Sequence, residues 1–119
     1  MAGFSEAHDV YEILVASDGT GMTQSVLVSS TLTVSTTAFT TQTRAVNLVG
    51  YGTVSSTSVF FVRFYNPGES SAVGSTTDAA VPINWVQTFK VHPGQRAAIV
   101  GGDTTAGNTQ RVFVTELTG

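Results

Sequence analysis

The sequence predicts an all-β fold: a single-domain antiparallel β-sandwich or a jelly-roll-like barrel over residues 1–119. Three observations carry that expectation. Short runs alternate apolar and polar residues, which marks half-buried strands. Clusters of Gly, Pro, Asn, Asp and Ser separate these runs at the spacing of about eight short strands, as in sandwiches and barrels. No stretch keeps a 3.6-residue period, so no helix is expected beyond a turn near Ser5 to Asp9.

The elements follow in order. Residues 1–9 read as an extended N-terminal arm. Val10 to Ala16 sets Tyr11, Ile13 and Val15 against Val10, Glu12 and Leu14, a strand partly covered on both faces, ended by the turn cluster Ser17-Asp18-Gly19-Thr20-Gly21. Gln24 to Ser35 places Val26, Val28, Leu32 and Val34 on one face and hydroxyl residues on the other, with Leu27 out of phase. Thr36 to Thr43 reads as a strand after a bend or an irregular edge. Arg44 to Gly50 pairs Val46 with Leu48, and Gly50 and Gly52 flank Tyr51 in a turn or bulge. Ser58 to Tyr65 is apolar on both faces, as a central strand requires. Asn66-Pro67-Gly68 stops it. Glu69 to Ala80 is a loop or a short strand around Ala72 and Val73. Pro82 to His92 reads as one alternating strand with Ile83, Trp85, Phe89 and Val91 inward, and with Gln87 on that apolar side in need of a partner. Pro93-Gly94 is a turn in which glycine supplies positive φ. Gln95 to Val100, a hairpin-type loop over Gly101 to Asn108, and Gln110 to Leu117 complete the domain.

Composition narrows the function. Only 11% of the residues are charged, and Lys90 is the single lysine. Soluble domains average about 25% charged residues. Serine and threonine replace them, at roughly a quarter of the chain. Such a surface hydrogen-bonds with few ions to desolvate, which suits burial against neighbours, since charges are depleted at interface cores. The net charge of -3 and the lack of a basic patch argue against nucleic-acid and membrane-surface partners. Cysteine is absent, so disulfides, thiol catalysis and zinc–thiolate sites are ruled out. No signal peptide or membrane-length apolar run is visible.

Candidate chemistry is sparse. His8 and His92 are the only histidines, and with Asp9 or Glu12 they fall short of a structural zinc set. There is no Gly-x-Ser-x-Gly elbow for a nucleophile. Asp18, Asp78 and Asp103 sit among small residues, where their default role is to cap turns. The glycine-rich run Gly101 to Gly107 precedes a strand, so it does not form the helix N-terminus that cradles phosphate. No catalytic, metal or cofactor residue is therefore assigned. Trp85, Tyr51, Tyr65 and Phe39 could line a carbohydrate platform, but the phase of Trp85 favours the core. Arg63 interrupts an apolar strand: its stem packs on the sheet with its head at an edge, or it pairs across subunits with Glu12, Glu69 or Glu116.

The C-terminal half carries a pattern. Val62-Arg63-Phe64-Tyr65-Asn66-Pro67-Gly68 is followed by Thr76-Thr77-Asp78 and Val81-Pro82-Ile83. Next come Phe89-x-Val91-x-Pro93-Gly94, Ala97-Ala98-Ile99, a glycine-rich loop and Val112-Phe113-Val114-Thr115. This half resembles the small all-β virion proteins of tailed bacteriophages, the head decoration and cement class. The resemblance implies a non-enzymatic β-sandwich on the capsid surface, stabilising the head shell by binding the major capsid protein, often as a homotrimer. Interface positions expected on that reading are Arg63, Glu12, Phe39 and Glu69, with contacts from Ala2 to Asp9, Thr36 to Thr43 and Glu69 to Ala80. The alternative is a carbohydrate- or receptor-binding module of a tail or fibre, with an exposed aromatic cluster.

Overall fold

The computed structural model describes residues 11–19, 21–52, 58–73, 78–105 and 107–118. Among them lie nine strands and no helix: β1 (Glu12–Ile13), β2 (Thr23–Val28), β3 (Thr33–Ser35), β4 (Ala45–Gly52), β5 (Val59–Tyr65), β6 (Ala79–Pro82), β7 (Gln87–Lys90), β8 (Arg96–Gly101) and β9 (Gln110–Thr118). They form two antiparallel sheets packed as a β-sandwich. In the first sheet β9 is central, with β1 and β2 along one side and β4 then β7 on the other. The second runs β3-β8-β5-β6.

The core forms where the inner faces meet. Val26, Val28, Val46, Leu48, Val112 and Val114 from the first sheet face Phe60, Val62, Val81, Ala97 and Ile99 from the second. These are the in-phase positions of each alternating run, so period-two patterning placed them there. Phe39, Ile83 and Val91 add apolar side chains from the connections. One polar group bridges the layers. Gln110 in β9 is buried, and its side chain donates to the Val59 carbonyl and accepts from the Gly102 amide, each at 3.0 Å.

Several strands are divided more finely than alternation suggests. Gln24 to Ser35 is two strands in different sheets, joined by a corner in which the Ser29 amide bonds the Leu32 carbonyl. Leu32 lies in that corner and is exposed. Leu27 is out of phase because it faces outward from the first sheet. Thr36 to Thr43 forms no strand, but its backbone is tied down by the Thr36 amide to Ala97 and the Phe39 amide to Gln95. Gly50 and Gly52 belong to β4 itself, not to a turn. Val10 and the segment Ser5 to Asp9 lie outside the described residues.

The largest departure is Pro82 to His92. The chain leaves β6 in the second sheet and enters β7 in the first, so this is not one strand. The break sits at Asn84, whose φ is 64°, a left-handed conformation that asparagine tolerates better than most residues. Its amide donates to the Gly50 carbonyl at 2.8 Å. The break cancels the phase relation between Ile83 and Trp85. Ile83 is buried and Trp85 is exposed, while Gln87 also faces solvent and needs no buried partner. Likewise, β8 and β9 belong to different sheets, so Gly101 to Asn108 is a crossover and not a hairpin. The Pro93-Gly94 turn has positive φ at Gly94, as expected.

Candidate functional site

The outer face of the first sheet changes character along its strands. Cross-strand register aligns Thr23, Thr115, Asn47 and Thr88 in one row. That row is satisfied internally: Thr23 and Thr115 share a hydroxyl bond at 3.1 Å, and Thr88 donates to Asn47 at 2.6 Å. The next row holds Ser25, Phe113 and Val49, and the one after it Leu27, Arg111 and Tyr51. Tyr51 meets Phe113 edge-on at 5.9 Å, and Arg111 donates to Ser25 at 3.2 Å. Trp85 and Val86 follow Asn84, which is bonded beside Tyr51 at Gly50. Leu27, Tyr51, Val86 and Trp85 are 42, 50, 63 and 67% exposed. A hydroxyl ladder thus gives way to a row in which exposed Leu27 and Tyr51 flank Arg111.

The four residues expected at an interface occupy four different elements. Arg63 in β5 donates from Nε to Asp78 at 2.9 Å, within the chain. The β5–β6 register, Val62 opposite Ala79, sets that acid beside it. Glu12 is exposed in β1, opposite Thr118. Glu69 accepts from the Asn66 amide at 2.6 Å and caps the turn after β5. Phe39 is a core residue, 3% exposed and packed 6.4 Å from Phe64. Of the proposed contact segments, Ala2 to Asp9 and part of Glu69 to Ala80 lie outside the described residues.

The remaining candidates do not assemble. His92 is exposed in the Pro93-Gly94 turn, and His8 and Asp9 lie outside the described residues. Among the described residues no three His, Cys, Asp or Glu side chains come close enough to share a metal ion. Asp103 accepts from the Thr105 amide and the Asn108 side chain, both at 3.0 Å, so it caps the crossover loop. Those two bonds hold its carboxyl below the usual carboxylate value.

Glu116, expected among the partners of Arg63 across subunits, is instead turned into the chain's own interior. Glu116 in β9 is 2% exposed, and its Oε1 accepts from the Thr40 amide at 2.9 Å and the Thr43 hydroxyl at 2.8 Å. The signal was present, because Val112, Val114 and Glu116 share one phase of the strand and the first two are core. Searches against protein-family models, curated proteins and solved structures return no match.

Proposed function

We propose that this chain is a virion structural protein. It decorates a head shell of tailed-phage type by binding the major capsid protein lattice as a homotrimer, and it catalyses nothing. The observation that carries the reading is the exposure of Leu27 and Tyr51 in one row of the first sheet, and of Trp85 and Val86 just past the Asn84–Gly50 bond, on a chain with so few charges. Exposed apolar residues that gather into a patch mark interaction sites, whereas scattered ones need no explanation. Aromatic residues dominate binding energy when buried in the centre of an interface. A subunit that binds only the assembled shell adds its binding free energy to shell stability. Repetition over a lattice strengthens retention without new contacts.

The test is sedimentation velocity over a concentration series, with copy counting in purified particles. Self-association, hundreds of copies per particle, and loss of both in Tyr51→Ser/Trp85→Ser support the reading. A lone monomer with no particle affinity overturns it. The exposure of two aromatic side chains, Trp85 and Tyr51, also favours a second reading, a glycan-binding module of a tail or fibre. Binding on a glycan array, lost in Trp85→Ser, together with a handful of copies per particle, selects it.

A further inference from the structure

β2 is an edge strand without the guards that the other edges carry. It pairs with β9 on one side, and among the described residues no strand pairs with its other side. The register with β9 runs unbroken from Thr23 opposite Thr115 to Val28 opposite Gln110, so no bulge twists the edge away. The Glu116 amide donates to the Met22 carbonyl. Antiparallel alternation then turns the backbone groups of Gln24, Val26 and Val28 toward β9, and sends the amides and carbonyls of Thr23, Ser25 and Leu27 out along the edge. Among the described residues nothing bonds these six groups. Proteins usually blunt such an edge with charge, proline or a very short strand. β7 ends in Lys90, β6 follows Asp78 and ends in Pro82, β3 has three residues and β1 has two. β2 has six residues, Thr-Gln-Ser-Val-Leu-Val, with neither charge nor proline.

We propose that this edge pairs with the same edge of a second copy of the chain, antiparallel about a two-fold axis at Ser25. In that register Ser25 meets the partner's Ser25, while Thr23 and Leu27 meet the partner's Leu27 and the partner's Thr23. These are the hydrogen-bonded positions of the new ladder, so the six free groups of each chain engage and six bonds cross the axis. The free groups are symmetric about Ser25, as a contact between two identical patches requires. A strand that meets its own copy suffers wherever like charges face each other, and β2 carries none. Arg111 reaches Ser25 from β9, one strand in from the edge. Leu27, 42% exposed, is covered in part by the partner's Thr23. A two-fold contact cannot close a trimer, so the pairing acts beside the assembly proposed above and does not rest on it.

Sedimentation velocity of the full chain over a concentration series reads the pairing, with circular dichroism to show that each variant is folded. The parent is expected to gain mass with concentration. Ser25→Pro takes no N–H from the β2–β9 ladder but removes the donor at the axis from both copies. It is expected to weaken self-association at least about tenfold, in line with the loss of two hydrogen bonds. Ser25→Lys sets like charges across the axis and is expected to dissociate the pair. An equal mixture of Ser25→Lys and Ser25→Glu is expected to associate more tightly than either variant alone. That rescue requires position 25 to lie opposite itself, so a merely destabilised fold would not show it, and it stands in if Ser25→Pro fails to fold. A parent that stays monomeric throughout, a folded Ser25→Pro that self-associates like the parent, or a mixture no tighter than its components overturns the proposal. A chain that pairs in solution but is absent from particles refutes the virion reading alone. Hundreds of copies per particle, with self-association unchanged in Ser25→Pro, refute the edge pairing alone.

Discussion

Gly50→Ala tests how closely the two sheets approach. An added Cβ at this position of β4 would lie 2.7 and 2.8 Å from two ring carbons of Phe60 in the opposite sheet, and 3.5 Å from Val112. Carbon atoms pack best about 3.5–4.0 Å apart, so the overlap with the ring approaches 1 Å. Phe60 is fully buried among core side chains. Overpacking of this kind costs about 1–3 kcal/mol. Alanine returns about 0.5–1 kcal/mol by restricting the unfolded chain. The midpoints of these ranges leave a net loss of about 1 kcal/mol, or roughly 4–8 °C in melting temperature for a domain near this size. Urea unfolding followed by circular dichroism reads it, with an unchanged m-value as the sign that only the folded state is affected. Phe60→Leu removes the offending ring. The double variant should be less destabilised than the sum of the singles by about 1 kcal/mol, as for contacting residues. A neutral Gly50→Ala, or strict additivity with Phe60→Leu, refutes the account of why glycine sits there.

Other consequences can be measured alongside. Phe39→Ala should lower stability by about 3–5 kcal/mol, as for a buried ring; an unchanged melt with lost self-association would place Phe39 at an interface instead. Asn84→Ala should cost about 1 kcal/mol because alanine resists left-handed φ, whereas Asn84→Gly should be close to neutral. The Asp103 carboxyl should titrate by NMR below 3.8, its ordinary value. Since its folded pKa is lowered, the loop gains stability above that ordinary value and loses it as pH falls through the lower folded one. A midpoint at or above 3.8 contradicts the two capping bonds. Trp85→Ser should leave the melt within about 0.5 kcal/mol, as for a surface change, while reducing self-association.

Much of the fold was legible because the core obeys period two. β2, β4, β5, β8 and β9 all appear as alternating or continuously apolar runs, and their inward residues are those found buried. The turns at Asn66-Pro67-Gly68 and Pro93-Gly94 were legible for the same local reason, since the conformations of proline and glycine are set by their own covalent structure. What alternation cannot convey is which sheet a strand joins. The corner after Val28 and the crossing at Asn84 interrupt runs that look continuous, because a sheet change needs only a residue or two of altered backbone. Trp85 was misplaced for that reason. Arg63 was left between a head at a sheet edge and a pair across subunits, and its partner Asp78 within the chain lies across a β5–β6 pairing that no local pattern reveals. Glu116 was the opposite case: its phase pointed inward, yet it was read as an exposed partner for Arg63 because buried carboxylates are uncommon.

β9 has a consequence for how the chain reaches its native state. It is the shared neighbour of β1, β2 and β4, and the Thr23–Thr115 pair spans 92 positions. Among the described residues only β5 and β6 pair as consecutive strands, so almost every ladder must close a long loop before its bonds contribute. Refolding on the millisecond-to-second scale follows from that topology. Until β9 docks, β2 and β4 hold their apolar faces and strand edges open to chance encounters. The interval before docking is therefore when crowded copies of this chain are most prone to aggregate.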